Sequence, residues 1–303
     1  MVSRTKKLTL TALGTVMALA LATVVWVLVA SDFAFTEERV TIEGPRGELN
    51  AVLVKPTHGD GPHGLVVFVH DDGPAEADRD DAYKPLWNAF AEAGYASLSW
   101  DKPGVNDAPG DWLQQSMRDR AAEVEAAISW AYTRPDLDTT RLGLWGLGQA
   151  GWVIPDVLGA RNDLRFAALV GPAVDWQHQQ EFRARSGITP EAPTAARRAF
   201  DERNRGSNSV NSLRRISIPL LLILGGQDRD VDVSETEAAY RRNVRPDLLT
   251  VKRFDDATHA ITRNDIEYRD DFRVAARRLF APSTVYAPGY LDSLRIFAKR
   301  VTE

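Results

Sequence analysis

A chain of 303 residues could hold two domains, although α/β enzymes of about 250 residues commonly form one. Apolar residues make up 44% and charged residues 26%, a balance that supplies a buried core and excludes wholesale disorder. Against 42 Asp and Glu stand 37 Lys and Arg, a net charge of -5 with no basic stripe. No nucleic-acid partner is therefore expected, and the absence of cysteine excludes disulfides and thiolate chemistry.

Arg4, Lys6 and Lys7 precede an apolar run from Leu8 to Ala30 that carries no charge. At 1.5 Å per residue it reaches ~34 Å, enough for a bilayer core of ~30 Å. Basic residues before the run and Asp32, Glu37 and Glu38 after it predict residues 1–35 as a cytoplasmic start and single-pass anchor, with the rest of the chain extracytoplasmic. The alternative is a secretory signal cleaved near Val29-Ala30-Ser31, for which the run is long.

Arg39 to Glu43 and Glu48 to Lys55 alternate around Gly44-Pro45-Arg46-Gly47 and predict a hairpin. Leu65 to Val69 is wholly apolar, as in a strand of a parallel sheet covered on both faces. A helix is predicted around Tyr83 to Ala93, a strand over Tyr95 to Trp100, and a long helix from Trp112 to Tyr132 with Met117, Ala121, Val124 and Ile128 on one face. Strand Arg141 to Trp145, helix Gln149 to Leu158 and strand Arg165 to Val170 continue the alternation.

Residues 175–215 break the rhythm, being polar and without a strand pattern, and are expected to form a helical cap over the sheet's carboxyl edge. Strand Ile218 to Leu224, a helix opened by the capping pattern Ser234-Glu235-Thr236-Glu237, strand Leu248 to Phe254 and a closing helix Asp270 to Leu279 complete the series. The expected fold over residues 36–303 is a mostly parallel, doubly wound sheet with helices on both faces.

Three landmarks fall where such a sheet would build an acyl-transfer site. Gly146-Leu147-Gly148-Gln149-Ala150-Gly151 lies between a strand and a helix, as a sharp nucleophile turn must, with a helix N-terminus behind it to serve an oxyanion. Asp228 follows an apolar strand, and His259 follows the last strand. Each alone is more simply a turn or loop residue; together their order is the one this chemistry uses. No metal cluster or dinucleotide motif is present in the sequence, and no cofactor is expected.

The phrases Val-Val-Phe-Val-His70-Asp-Asp-Gly-Pro, Ser99-Trp-Asp-Lys-Pro-Gly104, Gly143-Leu-Trp-Gly-Leu-Gly148-Gln-Ala-Gly-Trp152 and Leu224-Gly-Gly-Gln-Asp228 resemble the α/β-hydrolase superfamily over residues 36–282. Within it they resemble the bacterial esterase and dienelactone-hydrolase-like group. The resemblance implies Asp228 as acid, His259 as base, and the N–H groups of Asp71 and Gln149 as oxyanion donors. It also implies a pocket touching His70, Asp72 and Trp152, with a small ligand or ester as partner.

Two departures strike the centre: Gly148 stands where the resemblance implies serine, and Asp71 where it implies glycine. Two functions follow as expectations. One is an impaired or inactive hydrolase-like protein that binds a small molecule or partner; the other is an ester or acyl hydrolase in which His259, held by Asp228, activates a water over Gly148. Among further candidates, Asp101 and Lys102 are expected as a structural ion pair, Asp175 as a substitute acid, and Trp176 as a pocket wall.

Overall fold

The computed structural model describes residues 33–186, 193–267, 269 and 272–301, with Met17 alone before them. The expected anchor at residues 8–30 therefore lies, apart from Met17, outside the described residues. Among the described residues no helix is long and apolar enough to cross a membrane.

The strands are β1 (Phe35–Gly44), β2 (Gly47–Pro56), β3 (His63–Val69), β4 (Tyr95–Trp100), β5 (Leu137–Leu147), β6 (Phe166–Val170), β7 (Leu220–Gly225) and β8 (Leu249–Phe254). They form a single sheet in the order β1-β2-β4-β3-β5-β6-β7-β8. The β1-β2 and β2-β4 pairings are antiparallel, and the five pairings from β4 through β3, β5, β6 and β7 to β8 are parallel. The helices are α1 (Lys84–Ala91), α2 (Met117–Ala131), α3 (Ala150–Ala160), α4 (Trp176–Arg185), α5 (Ala195–Asn204), α6 (Val210–Leu213), α7 (Val233–Asn243), α8 (Asn264–Glu267), α9 (Phe272–Phe280) and α10 (Tyr290–Arg300). This is the expected α/β fold.

The unbroken apolar runs are explained by two cores. From β3, Leu65, Val67 and Val69 enter a core shared with α2 and α3, while Val66 and Phe68 enter one shared with α1 and α10. β7 divides likewise, Leu220, Leu222 and Leu224 against Leu221 and Ile223. A strand whose side chains alternate between two dry layers has no polar face to show. Among the described residues, every strand and both cores lie within residues 35–300.

Local chemistry corrects three boundaries. Asp111 caps a short 3-10 turn over Trp112–Gln114, and Ser116 with Asp119 then forms a capping box, so the long helix begins at Met117. α7 is capped by Asp232, whose carboxylate accepts from the Glu235 N–H at 3.0 Å, so Ser234 lies inside the helix. The helix after β8 does not close the chain: α10 follows and packs Tyr290, Leu294 and Phe297 into the core of α1, extending the fold past residue 282.

The cap contains α4, α5 and α6. Asp175 caps α4 by accepting from the His178 N–H at 2.9 Å and also receives Asn208, so it is a structural residue and not the substitute acid.

Candidate active site

The turn between β5 and α3 has the backbone of a nucleophile elbow. Gly148 has φ +53, its N–H donates to the Val170 carbonyl at 2.9 Å, and its own carbonyl accepts from Gly151 and Ala173 at 3.0 Å each. Residues with side chains rarely adopt this φ, and an elbow holds its nucleophile there under strain.

Across the turn, His259 Nδ1 donates to Asp228 Oδ2 at 2.8 Å, and Asp228 Oδ1 accepts from the N–H groups of Asp230 and Val231 at 2.8 and 2.9 Å. Gly171, with φ +46, leaves room for this pair; a Cβ there would lie 2.8 Å from His259 Nδ1 and 3.0 Å from Asp228 Oδ2. The expected acid and base are therefore joined, at the expected turn.

Over Gly148, where the resemblance implies a serine hydroxyl, lies the carboxylate of Asp71. A Cβ built on Gly148 would meet Asp71 Oδ1 at 2.0 Å, Asp71 Cγ at 2.6 Å and His259 Nε2 at 2.7 Å. Asp71 Oδ2 lies 3.3 Å from His259 Nε2, and Oδ1 accepts from the Gln149 N–H at 2.9 Å. One oxygen thus faces the imidazole as a nucleophile would, and the other fills the expected oxyanion position. Gln149 keeps its donor role, but Asp71 occupies that site instead of donating to it. The space over Gly148 is not vacant: the cavity bounded by Asp71, Gly148, Trp152, Trp176, Arg183 and His259 measures about 10 Å³.

The electrostatics follow from this arrangement. Burial disfavours charge on His259, but Asp228 and then Asp71 outweigh it and hold the imidazolium well above its ordinary range. Burial likewise opposes charge on Asp71, yet His259, Arg79 and the Gln149 N–H hold its carboxyl well below the usual carboxylate range. The two carboxyl groups thus flank the imidazole on either side, at 2.8 Å from Nδ1 and 3.3 Å from Nε2, and favour its protonated form.

Asp228, Asp230 and His259 also bring one ligand atom each within 4.8 Å. This set does not fit a cation, since both Asp228 oxygens are committed to donors, the Asp230 and Val231 N–H groups and His259 Nδ1.

Residues around the triad hold the Asp71 loop. Buried Lys102 donates to the carbonyls of Asp71 and Gly73, the latter at 2.7 Å, and not to Asp101; the expected ion pair is absent. Asp101 accepts instead from the Ala77 N–H at 2.7 Å. Arg120 donates to the His70 carbonyl and the Gln149 side chain, clamping the loop to the elbow.

The sequence reading missed Arg120, although a signal was present. It shares with Met117, Val124, Ala127 and Ile128 the buried stripe of α2, where a charge requires a buried partner. His70 was expected in the pocket but faces away from it. Its Nε2 donates to the Trp100 carbonyl at 2.7 Å and its Nδ1 accepts from the Tyr83 hydroxyl at 3.0 Å, while burial pushes its pKa well below the ordinary value. Trp152 and Trp176 do line the small cavity, with ring centroids 4.8 Å apart.

Asp72 ties the cap down. Its two oxygens accept from Arg197 at 3.0 and 2.7 Å, Arg183 lies 3.5 Å away, and Gln149 Nε2 donates to it at 3.2 Å. Burial opposes its charge, but Arg197 outweighs that and lowers its pKa. Asp72→Ala should remove about 2 kcal/mol from cap docking, and proteolysis within residues 176–204 should accelerate roughly tenfold or more. An unchanged cleavage rate at matched global stability would assign cap closure to other contacts.

The fold and this site define a member of the α/β-hydrolase superfamily. A family model described as the prolyl oligopeptidase family matches residues 87–275, a stretch that holds the elbow, Asp228 and His259, and the chain belongs to that family. The Pyrococcus furiosus esterase superposes with a TM-score of 0.66 at 18% identity, covering 90% of this chain and 92% of that one. The esterase domain of a Rhodothermus marinus protein gives 0.59 at 19%, covering 88% and 98%. Est1E of Butyrivibrio proteoclasticus, seen with ferulic acid bound, gives 0.61 at 14%, covering 87% and 97%.

In sequence, two Escherichia coli proteins, each described as an uncharacterized 31.7 kDa protein in the traX-finO intergenic region, match at 31% identity over 64 residues. The chain spans about a fifth of the length of these curated relatives, the match covering 21% of this chain and 22% of theirs.

Proposed function

We propose that this chain is a hydrolase-fold protein that does not perform serine-dependent acyl transfer and acts by binding a small molecule or a protein partner. Residues 8–30 would hold it at the extracytoplasmic face of a membrane, or would be removed on secretion. One observation carries the reading of the site: the Asp71 carboxylate lies 2.0 Å from where a Cβ at position 148 would be.

Binding is favoured at a place other than the elbow. A groove of about 720 Å³, lined by residues including Val174, His178, Val210, Arg214, Thr236 and Ala239, runs between the cap and α7. That volume is ligand-sized, unlike the space over Gly148.

The second reading, a water activated by His259, draws support from the His259–Asp228 bond of 2.8 Å. Against it stand the Asp71 carboxylate 3.3 Å from His259 Nε2, which favours the protonated imidazole, and a cavity of about 10 Å³, at the floor of the ~10–15 Å³ that one water needs.

Labelling with a fluorophosphonate and assay with p-nitrophenyl acetate separate the two. The expected result is no label and no turnover that depends on the site. Ester hydrolysis abolished by His259→Ala would defeat the binding reading and support the water-based one.

A further inference from the structure

We propose that α9, with the exposed flank of α10, is a docking surface for an anionic lipid bilayer. The inference is independent of what the elbow does.

At 100° per residue, Phe272, Ala275, Ala276 and Leu279 fall on one stripe of α9. Val274 lies opposite and is buried, so the stripe points away from the protein. Phe272 is 78% exposed and Leu279 61%, a cost in water that a soluble helix has no reason to carry on its outer face. Arg273 and Arg278 stand on either side of the stripe, the Arg273 guanidinium 6.0 Å from the centre of the Phe272 ring, and Arg277 adds a third cation. Long cationic side chains flanking an apolar stripe are what an interfacial helix needs, since the stems lie along acyl chains while the guanidinium groups reach anionic headgroups.

α10 extends the same chemistry. Ile296 is 58% exposed, and Lys299 and Arg300 are exposed one turn further on.

The surface lies close to where the chain enters the fold. The Ala34 N–H donates to Asn88 Oδ1 at 2.8 Å, and Asn88 shares the wall of a cavity of about 470 Å³ with Ser283 and Thr284, just beyond the end of α9.

The alternative occupants, a second copy or a protein partner, have no comparable support. An apolar stripe edged by cations on both sides repels an identical stripe, whereas it matches a negatively charged bilayer.

The test uses residues 33–303, which hold all eight described strands and both cores, with a cooperative urea transition required of this piece first; any binding then reports this surface without the apolar run. Flotation is measured with vesicles of phosphatidylcholine and with vesicles containing one quarter phosphatidylglycerol. Binding to the anionic vesicles alone, weakening as salt rises, is expected. Phe272→Ser with Leu279→Ser should reduce it at least tenfold, and Arg277→Gln with Arg278→Gln about twentyfold, at roughly fivefold per cation.

Because Phe272, Arg278 and Leu279 are exposed and Arg277 is half-buried, the variants should keep the parent urea midpoint. Hydrogen exchange over residues 272–280 in the unaltered protein should slow only when anionic vesicles are present, a readout that needs no variant. Equal binding to both vesicle types, no binding, or concentration-dependent self-association blocked by Phe272→Ser would each overturn the proposal.

Discussion

Gly148→Ser together with Asp71→Gly will restore ester hydrolysis, and Gly148→Ser alone will not. A side chain at 148 in the present structure meets Asp71 Oδ1 at 2.0 Å and Asp71 Cγ at 2.6 Å, so a lone serine is expelled or displaces the loop. Removing the Asp71 carboxylate does three things at once. It vacates the nucleophile's place and releases the Gln149 N–H to an oxyanion. It also takes away one of the two carboxylates that hold His259 protonated.

The elbow needs no rebuilding, since the hydrogen bonds from the Gly148 N–H to Val170 and from Ala173 to the Gly148 carbonyl already fix it. Loss of a nucleophilic serine in a triad enzyme costs ~10⁶ in kcat, so a partial reconstruction should give at least ~10³ over the parent with p-nitrophenyl acetate. A double variant no faster than the parent would mean that 148 is not the nucleophile position.

The second large effect is on stability. His259→Ala will destabilise the protein by about 3–5 kcal/mol near pH 6, because it leaves Asp71 and Asp228 buried and facing each other without the cation between them. The pH dependence has a definite sign. The folded pKa of His259 is raised, so its contribution is fully present below the unfolded value of ~6.5 and is lost as pH rises through the folded value. The folded pKa of Asp71 is depressed, so its contribution is present above the unfolded value of ~3.9 and fades as pH falls through the folded one.

The triad therefore stabilises most between roughly pH 4 and 6.5. Urea melts at pH 5.5, 7 and 9 should show the gap between parent and His259→Ala narrowing as pH rises. A gap that widens toward pH 9 would mean that His259 is neutral in the fold.

The local and two-layer features were legible from residues alone. The apolar runs within β3 and β7, the helix, strand and turn that became α2, β5 and the bend at Gly148, and the order of Gly148, Asp228 and His259 all report short-range periodicity or sequence order. Boundaries were read less well where a cap competes with a neighbour of the same kind. Asp232 and Ser234 can each start α7, and only the backbone direction chooses. α10 went unread because its apolar face belongs to a core whose other half, α1, lies two hundred residues earlier.

That Gly148 and Asp71 stand where the resemblance implies serine and glycine was visible in the sequence, and so was the joining of Asp228 to His259 as an expectation. What only the tertiary structure decided is that the two departures compensate each other. The carboxylate from the β3 loop lies over a glycine 77 positions later, because β3 and β5 are parallel neighbours that deliver both loops to the same edge of the sheet. Sequence states which residues are present and how each local stretch will fold; whether a missing hydroxyl leaves a hole or is replaced by a charge depends on distances across strands, which no local pattern encodes.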